Sequence, residues 1–167
     1  MNFKRLAVIA LGAAFVLALA LSNTGKVTAA AGTNRYVSNT GADAGNCSVS
    51  PCFTIQYAVN QSVGGDTINV AAGTYNEQVK VTTSNLTITG AGAAATTIRP
   101  ASAVVNSTSI FSGNDLMAIV VVDGATGVTV EDLTVDGQTA AAVVGCAPTF
   151  VGVFYRAGIS DTDFARR

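Results

Sequence analysis

The chain has 167 residues, of which 49% are hydrophobic and 11% are charged, and its formal net charge is −1, from 9 Lys+Arg and 10 Asp+Glu, with no histidine. So apolar a composition argues against an intrinsically disordered chain. The slightly acidic balance gives no electrostatic basis for binding nucleic acid.

The N-terminal segment, residues 1–31, predicts a secretory signal peptide. Lys4 and Arg5 precede an uninterrupted apolar run over residues 6–21, and Ala29-Ala30-Ala31 offers an Ala-x-Ala cleavage site. An uncleaved membrane anchor is the alternative, because the run approaches the length of a spanning helix. Cleavage would leave a secreted or cell-surface domain, residues 32–167, with 6 basic and 10 acidic residues, a net charge of −4 and no membrane segment.

Two cysteines, Cys47 and Cys52, lie across a short loop that contains Pro51. In an exported protein this arrangement predicts a disulfide. A metal site is the alternative, but it would need further Cys or His ligands, and the chain has no histidine. Cys146 is left over, either as a small buried hydrophobe or as the partner of a cysteine outside this sequence.

Residues 53–63 form the one helix predicted after the signal. Thr54 can cap its start, and Gly64-Gly65 can end it. Its apolar residues fall on one face: Ile55, Ala58, Val59 and Val63. Because stacked strands expose an apolar core and unpaired edges at their ends, we expect this helix to cover the N-terminal end, within a capping segment over residues 36–64.

Short strands with alternating apolar residues fill residues 65–100. The predicted strands are Thr67–Val70, Val79–Val81, 86–89 and Thr96–Ile98, each with one apolar face and one face rich in Thr or Asn. The apolar pair Leu86 and Ile88 repeats the earlier pair Ile68 and Val70. The spacing between the two pairs is too wide for a hairpin and too short for a strand-helix-strand crossover, so it predicts the coils of a solenoid.

Three segments carry a resemblance to a known family. Residues 66–75 (DTINVAAGTY), followed by Glu77, Val79 and residues 86–92 (LTITGAG), resemble the first full coil of right-handed parallel β-helix proteins of the pectin-lyase-like superfamily. Residues 128–137 (VTVEDLTVDG) resemble a later coil. The resemblance extends over roughly residues 36–159. It implies an all-β, single-stranded right-handed parallel β-helix with coils over residues 65–167. Function stays open, because the superfamily contains lyases, hydrolases, esterases and adhesins.

Residues 101–114 are polar and irregular. They predict a solvated loop, with a ligand-contacting groove wall as the alternative. Strands resume at residues 118–124 and 128–137, and a further coil is predicted at residues 151–156.

A charged constellation follows from this predicted register. If Leu133 and Val135 point inward, Asp132, Thr134 and Asp136 share the outer face. We expect Val153 to occupy the position of Leu133 in the next coil. This register then stacks Tyr155 on Val135 and places Arg156 over Asp136 at one inter-strand spacing, about 4.8 Å.

This constellation has two interpretations. One interpretation, implied by the resemblance, is the chemistry of pectate-type lyases. In these enzymes outward acidic residues hold calcium, and an arginine removes the proton α to a uronate carboxylate before β-elimination. The residues of matching type are the catalytic candidates Asp132, Asp136 and Arg156 and the metal candidates Asp123, Glu131, Asp132 and Asp136, since calcium needs carboxylate oxygens. They match no specific family motif, and an exposed Asp–Arg pair is usually a surface ion pair that contributes about 0–1 kcal/mol. The hydrolase pattern of the superfamily needs histidine, which the chain lacks.

The last residues predict an incomplete end. Another coil begins at residues 158–161, and residues 164–167 follow without a capping element. Solenoids need terminal caps, so this pattern predicts a C-terminally truncated β-helix whose last coil can stack end to end on another chain.

The sequence favours an exported β-helix module, non-catalytic as it stands and without a cofactor, that binds polysaccharide or a cell-surface glycan through ladders of Thr, Asn and Asp. The alternative is the N-terminal part of a calcium-dependent pectate-type lyase. Three outward carboxylates around one point would favour the lyase, and a dispersed set would favour the binding module. The low aromatic content, 7% with no Trp, weakens the case for sugar stacking.

Overall fold

A computed structural model of the chain describes residues 31–109, 112–137 and 149–156, with the backbone alone at residues 149 and 150. The predicted signal peptide, Cys146 and the predicted coil at residues 158–161 lie outside the described residues. Within the described residues, no helix is both long enough and apolar enough to span a bilayer.

One helix and eleven strands make up the secondary structure of the described residues. In chain order they are β1 (Asn34–Val37), α1 (Ile55–Gln61), β2 (Thr67–Val70), β3 (Gly73–Tyr75), β4 (Val79–Val81), β5 (Thr87–Gly90), β6 (Thr96–Ile98), β7 (Ser107–Thr108), β8 (Asp115–Asp123), β9 (Thr129–Glu131), β10 (Thr134–Val135) and β11 (Thr149–Arg156).

The strands form three sheets of parallel neighbours. The first sheet has the order β1-β2-β5-β9, the second β3-β6-β10 and the third β4-β8-β11. From β2 onward the chain visits the three sheets in the same cyclic order, except for β7, which pairs antiparallel with β8. The all-β prediction is therefore confirmed, and the parallel sheets are consistent with the β-helix class.

Most predicted strands agree with the structure except at their edges. The strand predicted over residues 128–137 is instead two strands, β9 of the first sheet and β10 of the second, with a turn between them. The strands Thr67–Val70, Val79–Val81 and Thr96–Ile98 are confirmed, and β5 begins one residue later than predicted. Strands β1 and β3 were not predicted. The loop predicted at residues 101–114 contains β7, which pairs with the start of β8.

The register of the first sheet corrects the predicted spacing. Ile68 pairs with Ile88, and Ile88 pairs in turn with Val130 of β9. A stacking of Leu86 on Ile68, which the repeat of the two apolar pairs suggests, is therefore not the observed register. The two registers differ by two residues, which leaves the same face inward, because side chains alternate with a period of two.

Inward side chains of all three sheets form one core. Each buried aliphatic side chain contributes about 1.5–3 kcal/mol through its removal from water. The strand residues of this cluster are Val37, Ile68, Val70, Tyr75, Val79, Val81, Ile88, Ile98, Ile119, Val120 and Val122.

Helix α1 adds Ile55, Ala58 and Val59 to this core and packs against β1, β2 and β4. The Thr54 hydroxyl accepts a hydrogen bond from the Tyr57 N–H at 3.2 Å, which confirms the predicted cap. The helix ends at Gln61, earlier than predicted, and Val63 is 62% exposed.

A side chain of α1 also covers a strand edge. The Gln56 amide accepts from the Lys80 N–H at 2.6 Å and donates to the Lys80 carbonyl at 3.1 Å. It thus occupies the position of a neighbouring strand beside β4, the first strand of the third sheet. Edges protected in this way do not recruit other chains.

Candidate functional site

The predicted stack of Arg156 over Asp136 is wrong. Strand β11 pairs with β8 in the third sheet, so Arg156 lies beside Asp123 and Tyr155 lies beside Val122. Asp136 follows β10 of the second sheet. The predicted register failed because it joined strands of two different sheets.

Two of the predicted acidic site residues, Asp136 and Asp123, form ion pairs with basic side chains. Asp136 Oδ2 accepts hydrogen bonds from Arg99 Nε at 2.9 Å and from Arg99 Nη2 at 2.6 Å. Asp123 lies 2.7 Å from Lys80 Nζ and 3.7 Å from Arg156 Nη1. The hydrogen bond from Lys80 lowers the pKa of Asp123 below its ordinary value of 3.8. These contacts tie successive circuits of the chain together.

The candidate calcium ligands are dispersed. Asp123 ends a strand of the third sheet, Glu131 ends a strand of the first sheet, and Asp136 follows a strand of the second. Asp132 occupies the turn after β9 with a φ of 53°. Among the described residues, no three His, Cys, Asp or Glu side chains are grouped closely enough to hold a metal ion. The donor set therefore does not fit calcium. A catalytic role for Asp132, Asp136 or Arg156 stays a prediction.

The outer face of the first sheet carries a regular polar surface. Its strands are parallel and in register, so equivalent side chains repeat at about 4.8 Å. We call the two resulting columns the polar ladder. They are Asn34, Thr67, Thr87 and Thr129 in one column and Tyr36, Asn69, Thr89 and Glu131 in the other.

An open groove runs along the second column of the polar ladder. It encloses about 350 Å³, within the range of about 300–1,000 Å³ typical of small-molecule sites. The Tyr36 side chain is 42% exposed at the first rung. The lining residues are Tyr36, Asn69, Val70, Ala71, Thr89, Gly90 and Ala91.

Gly90 sets one wall of this groove. A Cβ at this position would lie 2.2 Å from the Asp132 carbonyl oxygen and 2.8 Å from the Leu133 Cβ. Real atoms cannot approach so closely, so only glycine lets the turn after β9 pass over the end of β5. The groove therefore depends on a residue without a side chain.

The Asn69 amide is weakly held. Its Nδ2 donates to the Asn34 side chain and to the Arg35 and Thr67 carbonyls at 3.3–3.4 Å. Protein hydrogen bonds of this type are usually about 2.9–3.0 Å long. The amide can therefore exchange these contacts for those of a ligand at small cost.

The disulfide loop holds Tyr36 in place. Cys47 and Cys52 are joined, which confirms the predicted disulfide. The Tyr36 N–H donates to the Cys47 carbonyl at 2.8 Å, and the Tyr36 carbonyl accepts from the Cys52 N–H at 2.9 Å. The exposed aromatic ring thus stands on a backbone that is bonded on both sides to the cross-linked loop.

Sequence reasoning did not identify Tyr36 as a site residue. The signal that could have found it is the alternation in Asn34-Arg35-Tyr36-Val37, which places Tyr36 on the outer face. Arg35 concealed the pattern, because a charged residue is rarely found at an inward position. Here the inward Arg35 is neutralised by Asp66, with 2.7 Å between Nη2 and Oδ2.

A second, smaller cavity of about 100 Å³ lies beside the start of α1 and is lined in part by Glu77 and Asn39. The Glu77 carboxylate accepts the N–H groups of Ile55 and Gln56, both at 2.8 Å. Burial raises the pKa of Glu77 above its ordinary value of 4.5, although these hydrogen bonds oppose the shift. Since both carboxylate oxygens hold the helix, this cavity is part of the capping structure.

Neither protein-family models nor curated protein sequences give a match to this chain. A proposal about function therefore depends on the geometry of the described surface.

Proposed function

We propose that the chain is an exported right-handed parallel β-helix module, of the pectin-lyase-like kind, that binds a polysaccharide along the polar ladder without cleaving it. The observation that carries this proposal is the alignment of an exposed tyrosine with columns of hydroxyl and amide groups beside an open groove. The cyclic strand order and the sequence resemblance support the fold. The disulfide supports an oxidising, extracellular environment.

The chemistry of the polar ladder suits a sugar chain. Thr hydroxyls and Asn amides both donate and accept hydrogen bonds, as sugar hydroxyls do. An aromatic ring offers an apolar face to the C–H groups of a pyranose. The second column has four rungs, which span about 14 Å at the usual inter-strand distance of about 4.8 Å. A short oligosaccharide segment can lie along this length.

The alternative function, a calcium-dependent pectate-type lyase, receives less support. Its calcium ligands would need to converge, whereas the described candidates lie in or next to strands of three different sheets. Two of them, Asp123 and Asp136, are already paired with Lys80 and Arg99. The binding module is therefore the function we favour.

Binding of the purified protein to immobilised and soluble polysaccharides tests this proposal. We expect Tyr36→Ala to weaken binding roughly two- to tenfold, the usual contribution of one aromatic contact. Phe53→Ala is the matched control, because Phe53 is 47% exposed and lies outside the polar ladder. Absence of binding, or an equal loss in both variants, would contradict the proposal.

Catalysis is tested on the same samples. Absorbance of unsaturated uronate products should stay flat when the protein is mixed with polygalacturonate and calcium. A calcium-dependent rise that disappears in Asp136→Ala would instead establish the lyase.

A further inference from the structure

We infer that the polar ladder is selective for a neutral polysaccharide over a polyuronate, and that Glu131 is a specificity-determining residue. This inference rests on the proposed function and concerns the class of glycan bound. Seven of the eight ladder side chains are uncharged, and the eighth, Glu131, is an acid.

The polar ladder itself holds none of the cations that a uronate carboxylate would need. The described part of the chain contains four Lys and Arg residues, and each is bound to a carboxylate elsewhere: Arg35 to Asp66, Lys80 and Arg156 to Asp123, and Arg99 to Asp136. Arg35 lies in a strand of the first sheet, but its side chain points inward and is 8% exposed. It therefore cannot reach a ligand on the outer face.

Glu131 adds a repulsive element. It pairs in register with Thr89, which lines the groove, so it occupies the next rung of the same column. Among the described residues it has no salt-bridge partner. A uronate carboxylate laid along this column would meet a like charge about one inter-strand spacing beyond Thr89. Like charges at an interface exclude the wrong partner more than they strengthen the right one.

The neutral part of the ladder supplies the attraction. Asn69 and Thr89 line the groove with an amide and a hydroxyl, and Tyr36 lines it with an aromatic ring. These groups need no counter-charge to bind sugar hydroxyls. The polar ladder thus combines hydrogen bonding to any hydroxyl-rich chain with repulsion of an acidic one.

Calorimetric titration of the purified protein with hexasaccharides of xylose, glucose, galactose and galacturonate tests this inference. We expect at least one neutral hexasaccharide to bind and hexagalacturonate to bind more weakly at about 0.01 M salt, where the Debye length is about 30 Å. Glu131→Gln should raise the affinity for hexagalacturonate relative to that for the neutral ligand roughly two- to fivefold, the size of one charge contact near a surface. At about 1 M salt, where the Debye length is about 3 Å, this gain should disappear.

Asp115→Asn is the matched control, because it removes one negative charge at an exposed position in the third sheet. If both substitutions raise hexagalacturonate affinity equally, the effect is one of net charge and the role of Glu131 is wrong. If hexagalacturonate binds more tightly than every neutral probe, and Tyr36→Ala abolishes that binding, the inference fails while the proposed function stands. If no hexasaccharide binds, both fail.

Discussion

The N-terminal end of the fold and its lateral surface hold ion pairs of the same chemistry in opposite surroundings. At the end, the side chains of Arg35 and Asp66 are 8% and 1% exposed. On the side, those of Arg99 and Asp136 are 45% and 17% exposed. A buried pair that loses one partner leaves an uncompensated charge, whereas an exposed partner is solvated by water. We therefore expect the first pair to contribute much more to stability than the second.

The bonding around Asp66 shows why the buried pair is needed. Its Oδ2 accepts from Arg35 Nε at 2.8 Å and from the Val63 N–H at 2.9 Å, and its Oδ1 accepts from the Thr33 N–H at 2.7 Å. Burial alone would raise the pKa of Asp66, but the hydrogen bonds and the Arg35 charge bring it below 3.8. One carboxylate thus joins the segment before β1 to the segment that follows α1.

The largest effect is expected from Arg35→Met, which keeps an unbranched apolar stem and removes the charge. Asp66 would stay buried without a cation, and this should lower the free energy of unfolding by about 3–5 kcal/mol. Urea unfolding followed by circular dichroism at neutral pH measures the loss. A cost under about 1 kcal/mol would show that water reaches Asp66.

The double variant Arg35→Met/Asp66→Asn controls for the charge itself. It removes both charges, so its cost should be smaller than the sum of the two single costs. Additive costs would mean that the two side chains act independently, against the geometry of the pair.

The next largest effect concerns the disulfide at the same end. Its two cysteines are five residues apart, and so short a loop constrains the unfolded chain by about 2 kcal/mol. We expect Cys47→Ala/Cys52→Ala to lower the unfolding free energy by about this amount, in the same urea experiment. Because Tyr36 is bonded to both cysteine backbones, glycan affinity should fall as well. Unchanged glycan affinity would show that the disulfide loop does not position the binding site.

Local features of the fold could be predicted from the sequence. The alternation around Ile68 and Ile88 fixes which face of each strand is buried, and the cap at Thr54 and the disulfide depend on neighbouring residues. Such features depend on short stretches of chain. They survive even when the register is wrong by two residues.

Long-range pairings could not be predicted in the same way. Val153 pairs with Val120 and not with the predicted Leu133. The sequence does not show which sheet β11 joins, so it could not distinguish these two partners. The pairing of Arg35 with Asp66 joins positions far apart in the chain and places a charge inward, against the usual pattern. The polar ladder depends on such pairings, so its Thr and Asn content was visible in the sequence but its extension to Tyr36 was not.

A smaller effect is expected where Glu77 holds the start of α1. Glu77→Gln keeps one oxygen acceptor and turns an amide N–H toward the second backbone N–H, so it should cost about 1 kcal/mol. Because the pKa of Glu77 is raised above 4.5, its contribution to stability is full below pH 4.5 and falls as the pH rises through the folded pKa. The difference between wild type and variant should therefore shrink as the pH rises above about 4.5. A difference that grows with pH would contradict the direction of the shift.

The smallest effect is expected from Arg99→Met, the lateral counterpart of Arg35→Met. Arg99 is 45% exposed and water can solvate Asp136 after the change, so the cost should be about 0–1 kcal/mol and should decrease further in high salt. Urea unfolding of the two variants side by side measures the contrast directly, since both remove an arginine charge and keep a long apolar side chain. A loss of about 3 kcal/mol or more at Arg99 would place Asp136 among the buried charges. The two arginine variants would then cost about the same, and the contrast drawn between the buried pair and the lateral pair would be wrong.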